Sequence, residues 1–206
     1  MKQEKVWDAL AGGWSGWRNK PLKEIEKLAS EWNSGKLLDI GCGNCRNLIP
    51  FAKSGFDCYG TDFSKEMLAL ARERCKKENV KINLKLARAE KLPFKNEFFD
   101  CCIFANTLHH VETDEGRKRA ILEMFRVMKH EGKAFVSVWN KLQPRFLLAK
   151  KNVYVPWKKK DKTYQRYYHL FSYFELRRLL KKTGFKITRS SGMFGKSLWF
   201  VAEKQN

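Results

Sequence analysis

The chain has 206 residues, 43% hydrophobic and 31% charged, with 13 Gly and 5 Pro; that suffices for one domain burying about 70% of its unfolded surface and excludes a disordered tail or fibrous repeat. Its longest apolar runs, such as residues 101–105, fall far short of the roughly 18 residues that span a bilayer, and the Met1-Lys2-Gln3-Glu4-Lys5 start has no apolar signal core, so a soluble cytoplasmic protein without a membrane partner is expected. The formal charge is +20, and residues 140–206 hold 17 basic against three acidic side chains, a field that gathers polyanions and makes nucleic acid the leading partner, ahead of an anionic membrane surface.

In chain order, Pro21 suits the first position of a helix over residues 21–32, which Gly35 ends. Residues 36–40 form a short apolar strand, followed by Gly41-Cys42-Gly43-Asn44 and a helix over 45–53. A second strand spans 56–61, and Ser64 caps a helix running to about residue 78. Residues 81–86 alternate as a third strand and 99–105 read as a buried fourth. A long helix over 114–129 is closed by Gly132, and 133–140 form a fifth strand.

Residues 141–165 are basic and read as irregular, with Pro144 and Pro156 as breakers. Ser172-Tyr173-Phe174-Glu175 is a capping box whose helix stops at Gly184, and strands over 185–190 and 197–203 follow a tight connection apart. The expected fold is α/β, a doubly wound, mostly parallel seven-stranded sheet with an antiparallel last strand. It forms a single domain over residues 1–206: a cofactor-binding core at 35–140, a basic acceptor-site segment at 141–170, and a closing helix and strand pair at 171–206.

Six cysteines raise the question of metal or disulfides. Cys101 and Cys102 are adjacent in an apolar strand, so they point to opposite faces as small hydrophobes. Cys42 and Cys45 form the only C-x-x-C, inside a glycine loop and with no second pair behind it; no metal site is read.

The strand 37–40 running into Gly41-x-Gly43 and then a helix puts bare backbone against a ligand, where doubly wound sheets bind nucleotides. Arg46 stands where a dinucleotide fold has its third glycine, which disfavours NAD and FAD. Asp62, ending the second strand, is placed to accept from both hydroxyls of a ribose. Ala89-Glu90 can read an adenine edge, and Asn106 ends the fourth strand facing the same crevice. Each alone is an ordinary loop residue. In this order they resemble the motifs of class I S-adenosylmethionine-dependent methyltransferases over residues 35–140. The resemblance implies S-adenosylmethionine as cofactor, with Asp39 near its amino group, Gly41 and Gly43 against it, Asp62 on the ribose, Ala89 and Glu90 at the adenine and Asn106 near the methionine part. Cys45 departs from the glycine usual there.

Further along, Val153-Tyr154-Val155-Pro156-Trp157, Arg166-Tyr167-Tyr168-His169-Leu170-Phe171 and Ser197-Leu198-Trp199-Phe200-Val201 resemble, in order, the tRNA wobble-uridine carboxymethyl methyltransferases. Arg18-Asn19-Lys20-Pro21 and His109-His110 match two more marks of that family, with Leu22 replacing its Trp and Ser197-Leu198 its Asn-Trp. The resemblance implies methyl-ester formation on a carboxylate of a wobble uridine in the tRNA anticodon arm, with a small zinc-binding activator subunit as partner. The expected acceptor-site residues are Arg18, His109, His110, Arg166 and Tyr167. Arg166 suits a planar carboxylate, and either histidine can orient the uracil or carboxylate. Tyr167, Tyr168 and Trp157 offer stacking surface for an extruded base, although core packing explains Tyr167 equally well and a structural reading of His109 stays open. Lys150, Lys151, Lys158, Lys159, Lys160 and Lys162 are expected to contact phosphates. Two alternatives remain: a methyltransferase for a small metabolite, and a non-catalytic RNA-binding module on the same scaffold.

Overall fold

The computed structural model describes residues 2–205; Met1 and Asn206, the two ends of the expected domain, lie outside them. Strands β1 (Lys36–Ile40), β2 (Asp57–Asp62), β3 (Ile82–Leu86), β4 (Phe99–Ala105), β5 (Met128–Trp139), β8 (Phe185–Ser190) and β9 (Ser197–Lys204) form one sheet, while β6 (Asn152–Lys159) and β7 (Lys162–His169) form a separate ribbon. The sheet order is β3-β2-β1-β4-β5-β9-β8. All pairings are parallel except those of β9 with β5 and β8. Chain order reverses between β1 and β4, and a crevice opens beyond the carboxyl ends of the strands at such a point.

Successive side chains of the central strands enter opposite cores, as the pleat requires. Leu38, Cys102, Phe104 and Val136 pack with α5 (Asp114–Val127) and α6 (Tyr173–Thr183) through Met124, Leu176 and Leu180. Leu37, Cys101, Ile103 and Phe135 pack with α2 (Lys23–Glu31), α3 (Leu48–Lys53) and α4 (Lys65–Lys77) through Leu28, Phe51 and Leu68. The adjacent cysteines thus split between the two layers. Ser64 accepts the Met67 N–H at the start of α4, and Ser172 and Glu175 form the full capping box of α6. Gly184 closes α6 at φ 105°, its N–H on the Leu180 and Lys181 carbonyls.

Four expectations change. The helix after the glycine loop starts at Leu48, because residues 41–47 are taken up by the loop itself. Helix α5 ends at Val127, since Met128 already pairs with Phe99; Gly132 lies in the bulge that follows, where a Cβ would sit 2.8 Å from the Lys129 carbonyl. His130 is therefore a strand residue, with Nε2 2.8 Å from Glu97. The basic segment 141–165 is irregular only as far as residue 151, apart from one 3-10 turn at Pro144–Phe146. Val153, Val155 and Trp157 alternate along β6, Lys160 turns the ribbon at φ 51°, and Pro156 is tolerated because the ribbon has only two strands.

The fourth change is a helix that was not expected, α1 (Gln3–Trp17), which buries Val6, Trp7, Leu10 and Ala11. Its Gln3 side chain brackets the free edge of β7, donating to the Gln165 carbonyl and accepting the Tyr167 N–H at 3.0 Å.

Replacing Gly184 by Ala forces a Cβ into left-handed backbone and to within 2.9 Å of the Phe125 ring. Urea denaturation is expected to show a loss of about 1 to 2 kcal/mol at an unchanged m value.

Candidate active site

Strand β1 leads into Gly41 at φ 72°, where any Cβ would collide with Thr107. The Gly41 and Cys42 N–H groups both donate to the Thr61 carbonyl, at 2.7 and 2.8 Å, which ties the loop to the end of β2. Cys45 takes φ 61°, left-handed backbone that a glycine adopts without strain. The resulting crevice has two lobes that share Gly41, Asp62, Phe63, Thr107 and His110. One lobe adds Trp7, Trp14, Gly43, Arg46 and Asn106; the other adds Ala87, Ala89 and Glu90.

Asp62 accepts the Gly43 and Ser64 N–H groups, both at 2.9 Å. Burial outweighs these donors and pushes its carboxyl up to about 6. Asp39 is 1% exposed below the glycine loop, and neither of its oxygens has a partner. Burial holds it well above the usual carboxylate range, against the pull of Arg46. Asn106 sits at φ 53° beyond β4, and its Oδ1 is buried and unpartnered. Glu90 accepts from Arg88, which also pairs with Glu4 of α1. Of the seven residues expected at the cofactor, six line the crevice, and Asp39 lies behind its wall.

Helix α1 roofs this crevice with Trp7 and Trp14. It is latched by Gln3 on β7, by the Glu4–Arg88 pair, and by Asp8, which accepts from the Ser64 hydroxyl at 2.6 Å. The sequence does hold a sign of it: Val6, Leu10 and Trp14 recur at helical spacing, as do Trp7 and Ala11. Gly12, Gly13 and Gly16 mask that period.

The expected acceptor residues separate. His110 lines both lobes and donates Nδ1–H to the Tyr167 carbonyl at 3.0 Å. Burial pushes its imidazole down to about 3, so the ring is neutral and Nε2 is a pure acceptor. His109 is buried away from the crevice; its Nδ1 accepts the Trp139 N–H at 3.1 Å, and its ring stacks on Tyr168. Tyr168 is itself stacked on Trp139, with ring centroids 4.1 Å apart. Tyr167 turns to the other side of β7, its hydroxyl 2.8 Å from Asn152 Oδ1. Neither tyrosine presents a free face to the crevice.

Around the rim stand Arg18, Arg46, Arg145 and Arg166, each over a tryptophan ring: Trp17 at 4.4 Å, Trp14 at 5.8 Å, Trp139 at 4.4 Å and Trp157 at 4.8 Å. Arginine salt bridges among the described residues use Arg88, Arg117, Arg126 and Arg189, never these four. They feel one another instead. Burial and then Arg18 bring Arg46 down to about 10; burial lowers Arg166 too, and Arg145 and Arg18 add to it against the opposing effect of Tyr168. Arg166 donates to the Tyr168 hydroxyl at 3.0 Å, and its buried Nε has no partner. Sequence reasoning named Arg18 and Arg166 but missed Arg46 and Arg145, which only the fold brings to them.

A family profile described as a methyltransferase domain matches residues 38–136. The chain is 32% identical to an Encephalitozoon cuniculi protein whose name assigns it to the methyltransferases, covering 82% of this chain and 78% of that one. It is 33% identical over 136 residues to the tRNA (carboxymethyluridine(34)-5-O)-methyltransferase of Xenopus tropicalis, covering 66% of this chain and 20% of that protein. The Schizosaccharomyces pombe protein of the same name is 28% identical over 97% of this chain and 95% of its own. The chain spans 20% to 32% of the length of the curated relatives that head the comparison. A SAM-dependent methyltransferase from Methanosarcina mazei shares the fold, with TM-score 0.75 at 20% identity over 90% of this chain and 99% of that one.

The crevice fits S-adenosylmethionine. The orphaned acceptor of Asn106 suits an ammonium, and Gly41 leaves backbone exposed where a side chain would fill the space. Ribose hydroxyls donate best to an ionised Asp62. Because its raised pKa of about 6 makes the free protein take up a proton as pH falls through 6, calorimetry should show cofactor affinity falling about tenfold per pH unit below 6. Asp62→Asn should remove that dependence. In sheet order, glycine loop, strand-end acceptors and relatives alike, the chain belongs to the class I S-adenosylmethionine-dependent methyltransferases.

Proposed function

We propose that this enzyme methylates the carboxylate of a five-carboxymethyl wobble uridine in the tRNA anticodon loop, forming a methyl ester. The observation that carries this reading is the rim of four arginines without a salt bridge, two of them buried, beside the cofactor crevice. Uncompensated cations at a site call for an anion. Of the small-metabolite acceptors, a neutral quinone ring would leave them without a use, and a non-catalytic module would have no need of Asp62 and Asn106 at the crevice. The fission-yeast relative, matched over nearly its whole length, is named for this reaction.

The chemistry asks little of a base. The acceptor carboxylate is ionised at neutral pH, so one oxygen attacks and no proton moves. Gly41, Asp62, Glu90 and Asn106 would hold S-adenosylmethionine, which would supply an electrophilic methyl with the electrons of the C–S bond staying on sulfur. The protein's task is alignment and partial desolvation. Arg166 holds the non-attacking oxygen, held in turn by Tyr168 and Trp157, while Arg18 and Arg145 widen the positive rim. His110, an acceptor at Nε2, receives a uracil N–H. His109 acts as a positioning residue through Tyr168 and Trp139.

In this reading the whole chain is one methyltransferase domain acting in the cytoplasm, with residues 141–170 as its acceptor segment. Lys158, Lys159, Lys160 and Lys162, at the exposed end of the ribbon, contact phosphates of the anticodon arm. A zinc-binding activator subunit pairs with the open edge of β3, where Leu86 is 51% exposed.

The test is methyl transfer from labelled S-adenosylmethionine to tRNA lacking wobble esters, with and without the activator, followed by alkaline hydrolysis. Base-labile label in the wobble uridine is expected, and label absent from tRNA overturns the reading. Arg166→Ala should lower kcat/KM by about 10- to 100-fold, the scale of a charge-assisted hydrogen bond, with cofactor affinity retained. At saturating cofactor, kcat should stay flat from pH 6 to 8, since His110 titrates near 3; a limb of histidine type in that window counts against a base-free transfer.

A further inference from the structure

A second depression, about 520 Å³ in volume, opens between the first turn of α5 and the length of α6. Arg117, Lys118, Lys141, Lys151, Arg178 and Lys182 line it, against two acids, Asp114 and Glu175. Both acids are engaged. Asp114 pairs with Arg117, and Glu175 accepts from His169 at 2.9 Å and from Lys151 at 2.7 Å. Burial alone would raise Glu175, but these donors hold it down to about 2. Lys118 has only a loose contact with Glu115, at 3.9 Å. The remaining cations, Lys141, Arg178 and Lys182, form no salt bridge among the described residues, and Arg177 and Lys181 extend the row along the exposed face of α6. Phe174, 62% exposed, stands at the join of the two stretches.

This cleft is one residue away from the crevice. Tyr167 accepts His110 Nδ1–H at its carbonyl, on the crevice side, and its hydroxyl lies 3.3 Å from Arg117 Nη1, on the cleft side. Arg117 also donates to the carbonyl of Val111, which lines the crevice. Tyr167 and Arg117, both buried, thus form the wall between crevice and cleft.

We propose that this cleft and the α6 cations hold the sugar-phosphate backbone of the anticodon loop next to the extruded nucleotide, with the Phe174 ring taking an unpaired neighbouring base. The proposal rests on the tRNA reading above and adds a second phosphate track, on the opposite side of β7 from the arginine rim. Several of the cations face into a concavity, which a strand can enter and a flat anionic bilayer cannot. An exposed aromatic ring amid cations is the combination that single-stranded nucleic acid uses.

The experiment is fluorescence anisotropy of an anticodon stem-loop RNA with the wild-type protein and with the Arg178→Ala/Lys181→Ala/Lys182→Ala variant over a range of salt. Calorimetry with S-adenosylmethionine and thermal melting run alongside. RNA affinity should fall at least about tenfold, and the slope of log K against log salt should flatten by about 2, the loss of three single-strand phosphate contacts. Cofactor affinity and melting temperature should hold. Phe174→Ala, an exposed change that leaves the fold alone, should weaken RNA binding about fivefold or more with the slope unchanged.

Wild-type RNA affinity and slope in the triple variant overturn the proposal, as does a loss of binding to phosphatidylserine vesicles with RNA binding intact. Binding is read without methyl transfer, so the two readings fail separately. A wild-type enzyme that binds the stem-loop but methylates no tRNA overturns the acceptor assignment, whereas methylation that survives at full efficiency in the triple variant overturns the cleft alone.

Discussion

The two-residue period of β7 is the constraint on which both faces of this molecule depend. Arg166 and Tyr168 point one way, into the aromatic stack of Trp139, Trp157 and His109. Tyr167 and His169 point the other way, onto Asn152 and the polar group around Arg117 and Glu175. The partner strand repeats the division, since Val153 and Val155 lie across from the first pair and Asn152 and Tyr154 across from the second. A shift of one residue in the pairing would exchange every one of these side chains at once. Gln3, pairing with the free edge of β7 as a further strand would, opposes such a slip.

Like charges held together without acids oppose folding, and four arginines at one rim are a local cost that the rest of the fold offsets. The tryptophan beneath each guanidinium supplies a favourable face, while Arg46 spends one N–H on the Lys20 carbonyl and Arg166 one on the Tyr168 hydroxyl. Nearby acids are kept from neutralising the rim. Asp62 faces its own loop amides, Glu90 faces Arg88, and burial holds Asp39 toward its neutral form. The same low-dielectric setting that penalises these cations strengthens their grip on an anion.

Much of this was legible in the sequence wherever a local rule and the tertiary structure agree. The strand into Gly41, the buried run of β4, the Ser172 box and the Gly184 stop all express backbone preferences that packing reinforces. The ribbon was hidden because Lys158, Lys159, Lys160 and Lys162 lie along its exposed end and Pro156 lies within it, so its composition reads as a loop while its pairing makes it a hairpin. Helix α1 was hidden by three glycines that its tryptophan contacts outweigh. Residues 109 and 110 are neighbours in sequence with opposite surroundings, one inside an aromatic stack and one at the crevice wall, and no one-dimensional pattern separates them. Arg46 and Arg145 are 99 positions apart and join the site only when the sheet forms.

The latches of α1 bear on access to the crevice. Trp7 and Trp14 of this helix form part of the crevice lining, so α1 covers the space that the cofactor fits. Val6, Trp7, Leu10 and Ala11 pack beneath it, and Gln3 on β7, Glu4 on Arg88 and Asp8 on Ser64 add polar ties. Access to the crevice is thus tied to the packing of α1, so the amino-terminal segment is part of the site that it covers.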